Sequence, residues 1–171
     1  MAAPLCYDRV TNCVNFREFT GLAEPENRRS FGLMFKAAGV SDRMEIMEYT
    51  DTIAAIATAM GNSGIGIVRI SGEQAFSVID SIFRNRKGER VRLSLSQSHT
   101  VHYGYIYDGD EKVDEALVII MKGPHSYTAE DTVEIDCHGG VLMVRRILET
   151  VLHAGARTAE PGEFTKRAFL N

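Results

Sequence analysis

The stretch TVEIDCHGG, residues 132–140, decides the fold class because it predicts a strand that leads directly into a helix. Val133, Ile135 and Cys137 alternate with polar residues, and this period of two is typical of a strand with one buried and one polar face. After the two glycines, apolar residues recur at helical spacing over 141–152. A single buried cysteine usually behaves as a small hydrophobic residue, so Cys137 is predicted to lie in the core.

The polar face of this strand carries Glu134, Asp136 and His138, about 7 Å apart along the strand. Two interpretations stay open: a solvated strand face, or a platform that binds a ligand just ahead of the helix, where backbone N–H groups are free. Cys137 faces the other way from His138 and is poorly placed to pair with it as a nucleophile. A zinc site is disfavoured because no second Cys or His pair occurs at ligand spacing.

Four further segments are β-rich, and together with 132–138 they predict about five strands. They are TIAAIAT (52–58), IGIVRIS (65–71), HTVHYGYIYD (99–108) and DEALVIIMK (114–122). Helices are predicted over GEQAFSVIDSIF (72–83), over 141–152 and in EPGEFTKRAFLN (160–171). This order of elements predicts an α+β fold in which helices pack on a mixed β-sheet.

The composition is that of an ordinary globular chain: 171 residues, 44% hydrophobic and 25% charged. A net charge of −4 argues against a broad nucleic-acid-binding surface, and RNRKGERVR (84–92) is better explained as a solvated loop. The three cysteines form no C-x-x-C pair, which favours a reducing, cytoplasmic location. No apolar run approaches the roughly 18 residues of a membrane span.

Residues 1–46 show no sustained periodicity, and GLAEPENRRS (21–30) is typical of a loop. We therefore expect a poorly structured N-terminal extension over 1–46 and one domain over 47–171. Met44 and Met47 are plausible alternative starts. A short appended helix over SFGLMFKAAGV (30–40) is the alternative.

Arg69 lies between Val68 and Ile70 in an otherwise apolar strand. It is either an edge-strand arginine in solvent or a clamp for an anion or carbonyl group. The glycines of GNSGIG (61–66) lead into a strand instead of opening a helix, which favours a tight strand connection over a phosphate-binding loop. No P-loop pattern occurs in the chain, so no catalytic residue is assigned and no GTP turnover is expected from it.

Four motifs in order, DTIAAIAT, GIGIVRISG, GPHSYTAEDTVEIDCHGG and ARTAEPGEFTKRAFLN, resemble the N-terminal domain of the MnmE (TrmE) family of tRNA modification GTPases. The resemblance runs from Asp51 to Asn171. Three positions depart from many relatives: Ala59 replaces proline, Glu160 replaces arginine, and Asp136 replaces asparagine or glutamine. The resemblance implies a fold like the folate-binding domains of the glycine-cleavage T-protein group.

It also implies a function. Full-length relatives are cytosolic homodimers that work with an MnmG-like flavoprotein to modify C5 of the wobble uridine of tRNA. Their N-terminal domain dimerises and binds 5-formyl-tetrahydrofolate as the one-carbon donor. GTP, Mg²⁺ and K⁺ belong to the GTPase domain, which follows within a helical domain. We therefore expect this chain to be a fragment whose C-terminal end is incomplete and which is inactive on GTP.

By the same resemblance, Arg69 and Glu134 fall on two folate contacts. The carboxylate of Glu134 suits the 2-amino group and ring N–H of a pterin, which it can accept as a bidentate pair. Asp136 and His138 are further candidates for the same pocket, without an assigned role, and no metal ligand is expected. A third family contact, a lysine just after RAFLN, falls beyond Asn171. The alternative function is a dimerisation scaffold without significant folate binding.

Overall fold

The computed structural model describes residues 51–171, so the predicted extension over 1–46 and the predicted domain start at 47 lie outside the described residues. The strands are β1 (Ile53–Ile56), β2 (Ile65–Ser71), β3 (Phe83–Arg84), β4 (Thr100–Asp108), β5 (Glu111–Met121), β6 (Thr132–His138) and β7 (Arg157–Thr158). The helices are α1 (Ala75–Ile82), α2 (Val141–His153) and α3 (Glu163–Leu170), with a 3₁₀ turn over Leu93–Leu95.

All seven strands form one sheet in the order β3-β4-β5-β6-β2-β1-β7. Neighbouring strands are antiparallel, except that β1 and β7 run parallel, so the sheet is mixed and the α+β prediction is confirmed. The five predicted strands are all present. The two that the sequence did not predict, β3 and β7, have two residues each, which is too short to show a period.

One face of the sheet packs against α1 and α2 and forms the core. The sheet contributes alternate residues, and the helices contribute their apolar stripes; the buried set includes Ala54, Val68, Ile70, Val118, Ile120, Val133, Ile135, Val78, Ile79, Ile82, Val144, Ile147 and Val151. The prediction for Cys137 is confirmed, since it is 3% exposed. Burial raises the pKa of its thiol to about 11. The side chain therefore contributes to core packing and does not act as a nucleophile.

Close packing of β2 against α2 depends on Gly66. A Cβ at this position would lie 2.1 Å from Cγ2 of Val144, so only glycine lets the helix approach. Gly61 and Gly64 lie in the connection over 57–64 between the antiparallel strands β1 and β2, as the strand-connection interpretation predicted.

We call the other surface of the sheet, which carries Arg69, Glu134 and Asp136, the open face. Strand alternation determines which side chains lie on the open face, because their neighbours along each strand point into the core. These neighbours are Val68, Ile70, Ile135 and Cys137. No helix of residues 51–171 is long and apolar enough to cross a membrane.

Helix α3 is fixed by a buried arginine. The side chain of Arg167 has 0% exposure, and its guanidinium donates to the backbone oxygen of Asp51 at 2.9 Å and to its carboxylate at 2.6 Å. It also donates to Glu130 at 3.2 Å and to Glu163, one turn earlier, at 3.1 Å. A buried charge needs such partners, so this network holds α3 in one position.

Candidate functional site

Arg69 of β2 and Glu134 of β6 are directly paired in the strand register. The Nε atom of Arg69 donates to Oε1 of Glu134 at 2.7 Å, and an Nη atom lies 2.6 Å from the same oxygen. Their side chains are 28% and 17% exposed, so the ion pair is reachable from solvent. The structure therefore brings together the two residues that the family resemblance assigned to the ligand.

The ion pair uses only one oxygen of Glu134. Within residues 51–171, its second oxygen, Oε2, takes no hydrogen bond. The carboxylate is thus held in place by Arg69 and still has acceptor capacity. A ligand that offers N–H groups could engage it without first breaking the ion pair.

Two aromatic rings flank Arg69. Its guanidinium carbon lies 5.1 Å from the ring centre of Tyr127 and 5.9 Å from that of Phe164, both within cation–π range. The hydroxyl of Tyr127 lies 3.2 Å from Oγ1 of Thr165, so α3 supports the site at two adjacent positions. Arg69 is therefore not an edge-strand arginine in solvent: its strand lies between β1 and β6.

Asp136 follows Glu134 on the open face. Its direct neighbours across the sheet are apolar, Ile67 on β2 and Leu117 on β5. Its Oδ1 atom is buried and has no hydrogen-bond partner. Burial, and then the charge of Glu134, raise the pKa of this carboxyl above its usual value.

His138, the last candidate, has a different environment. Its Nδ1 lies 2.8 Å from Oδ1 of Asp114, and its backbone N–H donates to Oδ2 of the same carboxylate at 3.0 Å. This hydrogen bond to Asp114 raises the pKa of the imidazole. The ring is thus bonded to β5 and makes no hydrogen bond to Glu134 or Asp136. His138 is therefore bonded to Asp114 and not to the Arg69–Glu134 pair, and the assignment of Asp136 and His138 to a ligand pocket stays a prediction.

Between residues 51 and 171, no group of three or more His, Cys, Asp or Glu side chains is arranged to hold a metal ion. On the open face, residues 51–171 offer a planar cation near two aromatic rings, a carboxylate with a spare oxygen, and a second carboxylate whose Oδ1 has no hydrogen-bond partner. These groups suit a planar ligand with several N–H donors.

Sequence reasoning missed Tyr127, Phe164 and Arg167. Tyr127 lies in the loop before β6 and Phe164 on the last helix, and no local pattern indicates that both contact a strand residue far away in the chain. For Arg167, a weak signal existed: Glu163 and Arg167 are four residues apart, the spacing of a helical ion pair. That spacing does not predict burial, which depends on Asp51 and Glu130.

The protein-family model described as "GTP-binding protein TrmE N-terminus" matches residues 52–171. This range contains every residue of the site. The chain belongs to the TrmE N-terminal family. The four quoted motifs contain β1, β2, the loop into β6 with β6 itself, and β7 with α3, and the TrmE N-terminal match covers all of them except Asp51.

Among curated proteins, the TrmE-like part is similar to proteins named tRNA modification GTPase MnmE. The one from Lachnoclostridium phytofermentans is 66% identical over 122 residues, and the one from Symbiobacterium thermophilum is 61% identical over 122 residues; each match covers 71% of this chain and 26% of the relative. The one from Alkaliphilus oremlandii is 61% identical over 127 residues, covering 73% of this chain and 27% of the relative. The chain therefore spans about a quarter of the length of the curated relatives it matches.

Proposed function

We propose that this chain is the folate-binding and dimerisation module of a cytoplasmic tRNA-modifying GTPase that acts on C5 of the wobble uridine. The ligand proposed for the module is 5-formyl-tetrahydrofolate, which supplies a one-carbon unit when bound. The single observation that carries the proposal is the Arg69–Glu134 pair, partly exposed on the open face with one carboxylate oxygen still able to accept.

The residues present fit a reduced pterin. Its 2-amino group and adjacent ring N–H match the acceptor capacity of Glu134, which Arg69 holds in one orientation. Tyr127 and Phe164 provide apolar ring surface beside the guanidinium of Arg69. Among these groups, Glu134 orients the pterin edge, Arg69 holds the acceptor in place, and the aromatic rings exclude water.

The test is calorimetric titration of 5-formyl-tetrahydrofolate into the wild-type chain and into Glu134→Gln. The variant keeps the shape of the side chain but removes its charge and one acceptor. We expect affinity to fall by about 30-fold to nearly a thousandfold, equivalent to roughly 2–4 kcal/mol for a buried charged pair.

The matched control is Glu115→Gln. Like Glu134, Glu115 carries a carboxylate on the same sheet, but it lies on β5. Its carboxylate accepts a hydrogen bond from the hydroxyl of Tyr103 at 3.0 Å. This control should bind as the wild type does. If folded Glu134→Gln binds within threefold of the wild type, the assigned role of Glu134 is wrong.

Dimerisation is the second part of the proposal. Several large apolar side chains on the open face are exposed, namely Ile65, Val101, Tyr103 and Leu117, at 60%, 58%, 41% and 43%. A patch of this kind is typical of a surface that another chain covers. Light scattering at tens of micromolar should show a dimer, and a strictly monomeric chain would contradict this part.

The same patch favours one second candidate function, a dimerisation scaffold that does not bind folate. Dimers by light scattering without heat of binding for any folate would support the scaffold. In either case, the flavoprotein partner, the tRNA substrate and the GTP, Mg²⁺ and K⁺ sites are proposals for the full-length relatives, of which this chain spans about a quarter. The purified chain should therefore hydrolyse GTP no faster than a blank without protein.

A further inference from the structure

We propose that Asp136 is the residue by which this site distinguishes reduced pterins, which carry a hydrogen on ring nitrogen N8, from oxidised pterins, which do not. The inference rests on the folate-binding function proposed above. It assigns a role to a residue of the open face that neither the family resemblance nor the ion pair explains.

The carboxylate of Asp136 lacks the partners that a desolvated acceptor needs. Its Oδ1 is buried without a hydrogen bond, and no ion pair to Asp136 occurs within residues 51–171. Ile67 and Leu117, on either side, can offer neither donor nor charge from their side chains. The residue is nevertheless only partly buried, so a ligand on the open face can still reach its side chain.

The local charges do not balance. Arg69 compensates Glu134, to which it is bonded at 2.7 Å, and Asp136 adds a second negative charge two residues further along the same face. An unpaired buried acceptor is unfavourable, and one retained in a folded protein calls for a specific explanation. A ligand that donates a hydrogen bond at this position removes the imbalance.

His138 cannot remove it in place of a ligand. Its Nδ1 is bonded to Asp114 at 2.8 Å, and so is its backbone N–H. No other donor within residues 51–171 bonds Oδ1 of Asp136, so a partner for this atom has to be added to the described part of the chain.

A reduced pterin has donors at two places. Residues two apart on one strand face are about 7 Å apart, which is comparable with the length of the fused pterin ring system. When Glu134 accepts the 2-amino group and its neighbouring N–H, the N8–H of a reduced pterin is the remaining ring donor available to Asp136. In an oxidised pterin, N8 carries a lone pair instead, and a lone pair facing a carboxylate is repelled. Sites built to accept a hydrogen bond reject analogues that lack the hydrogen.

The experiment compares three ligands by calorimetry: 5-formyl-tetrahydrofolate and 7,8-dihydrofolate, which both carry N8–H, and folic acid, which does not. The wild-type chain should bind the first two at least tenfold more tightly than folic acid. Asp136→Asn should reduce that ratio to under threefold, because its amide can either accept from N8–H or donate to the N8 lone pair. Glu115→Gln, the control on the same sheet, should keep the wild-type ratio.

A second variant, Asp136→Leu, removes all hydrogen bonding and matches its apolar neighbours, so it should fold and lose affinity for both N8–H ligands. Thermal melting confirms folding of every variant. Two results would show that the role of Asp136 is wrong while the proposed function stands. In the first, the wild type binds 5-formyl-tetrahydrofolate no more tightly than folic acid. In the second, Asp136→Asn prefers 5-formyl-tetrahydrofolate over folic acid as strongly as the wild type does. If wild-type protein binds none of the three ligands, both are wrong.

Discussion

Arg69 and Glu134 are opposite partners in the β2–β6 ladder, and their side chains form an ion pair with an N–O distance of 2.6 Å on the open face. Two residues that are 65 positions apart in the chain thus act as one unit. The arginine holds the carboxylate in a fixed orientation, and the ladder hydrogen bonds hold both backbones.

This pairing predicts that substitutions at the two positions are not additive. Arg69→Met and Glu134→Gln should each lower the free energy of unfolding, and the double variant should lose less than the sum. The coupling should be about 0.5–1 kcal/mol, because the pair is partly exposed. Urea denaturation of the four proteins measures it, and additivity within about 0.3 kcal/mol would show that the pair contributes nothing to stability.

Among the arginines of residues 51–171, Arg167 should be the one whose replacement lowers the free energy of unfolding most. Arg167→Met would leave the carboxylates of Asp51, Glu130 and Glu163 without their shared cation. Breaking a buried network of this kind costs about 3–5 kcal/mol. The control Arg145→Met changes an exposed arginine of α2 and should alter the unfolding free energy by less than about 0.5 kcal/mol. Equal effects for the two variants would contradict the proposed anchoring of α3.

Gly66→Ala should destabilise the fold by about 1–3 kcal/mol, because its Cβ would meet the stiff, β-branched side chain of Val144. Gly61→Ala is the control, since nothing lies within 4 Å of a Cβ there. Combining Gly66→Ala with Val144→Ala should recover part of the lost stability. A double variant no more stable than Gly66→Ala alone would mean that the contact with Val144 is not the cause.

Glu163 should make the fold sensitive to acid. Hydrogen bonds from Arg157 lower the pKa of its carboxyl from 4.5 to about 2. A lowered pKa in the folded state contributes stability that is complete above pH 4.5 and is lost as pH falls from 4.5 through about 2. Glu163→Gln should therefore be less stable than wild type at pH 7. The difference in unfolding free energy between the two proteins should become smaller towards pH 2. A gap that is independent of pH would argue against this ion pair.

Asp136 should have the opposite pH dependence. Burial raises its pKa, so ionisation is less favourable in the folded state, and the stability of the unliganded protein falls as pH rises from the ordinary value of 3.8 through the raised one. Asp136→Asn should thus match the wild type near pH 3 and be the more stable of the two proteins at pH 7. Chemical denaturation at the two pH values measures the difference. A variant less stable than wild type at pH 7 would mean that the carboxylate has a structural partner.

The sequence by itself determined the periodicity of the main elements and therefore which side chains share a face. Alternation in 132–138 placed Cys137 in the core and Glu134 on the polar side, because a strand turns by half a revolution per residue whatever lies next to it. The helical spacing over 141–152 similarly predicted α2. Local periodicity does not depend on distant partners, and for that reason it could be predicted.

Only the tertiary structure decided which residues meet across elements. The register that sets Arg69 against Glu134, the burial of Arg167 among three carboxylates and the bond between His138 and Asp114 all join segments far apart in sequence. The first and the last depend on strand order, and the burial of Arg167 depends on where α3 docks. Packing of the sheet and the helices selects these contacts between residues. Polar groups that leave water must find hydrogen-bond partners, and the fold determines which partners are near.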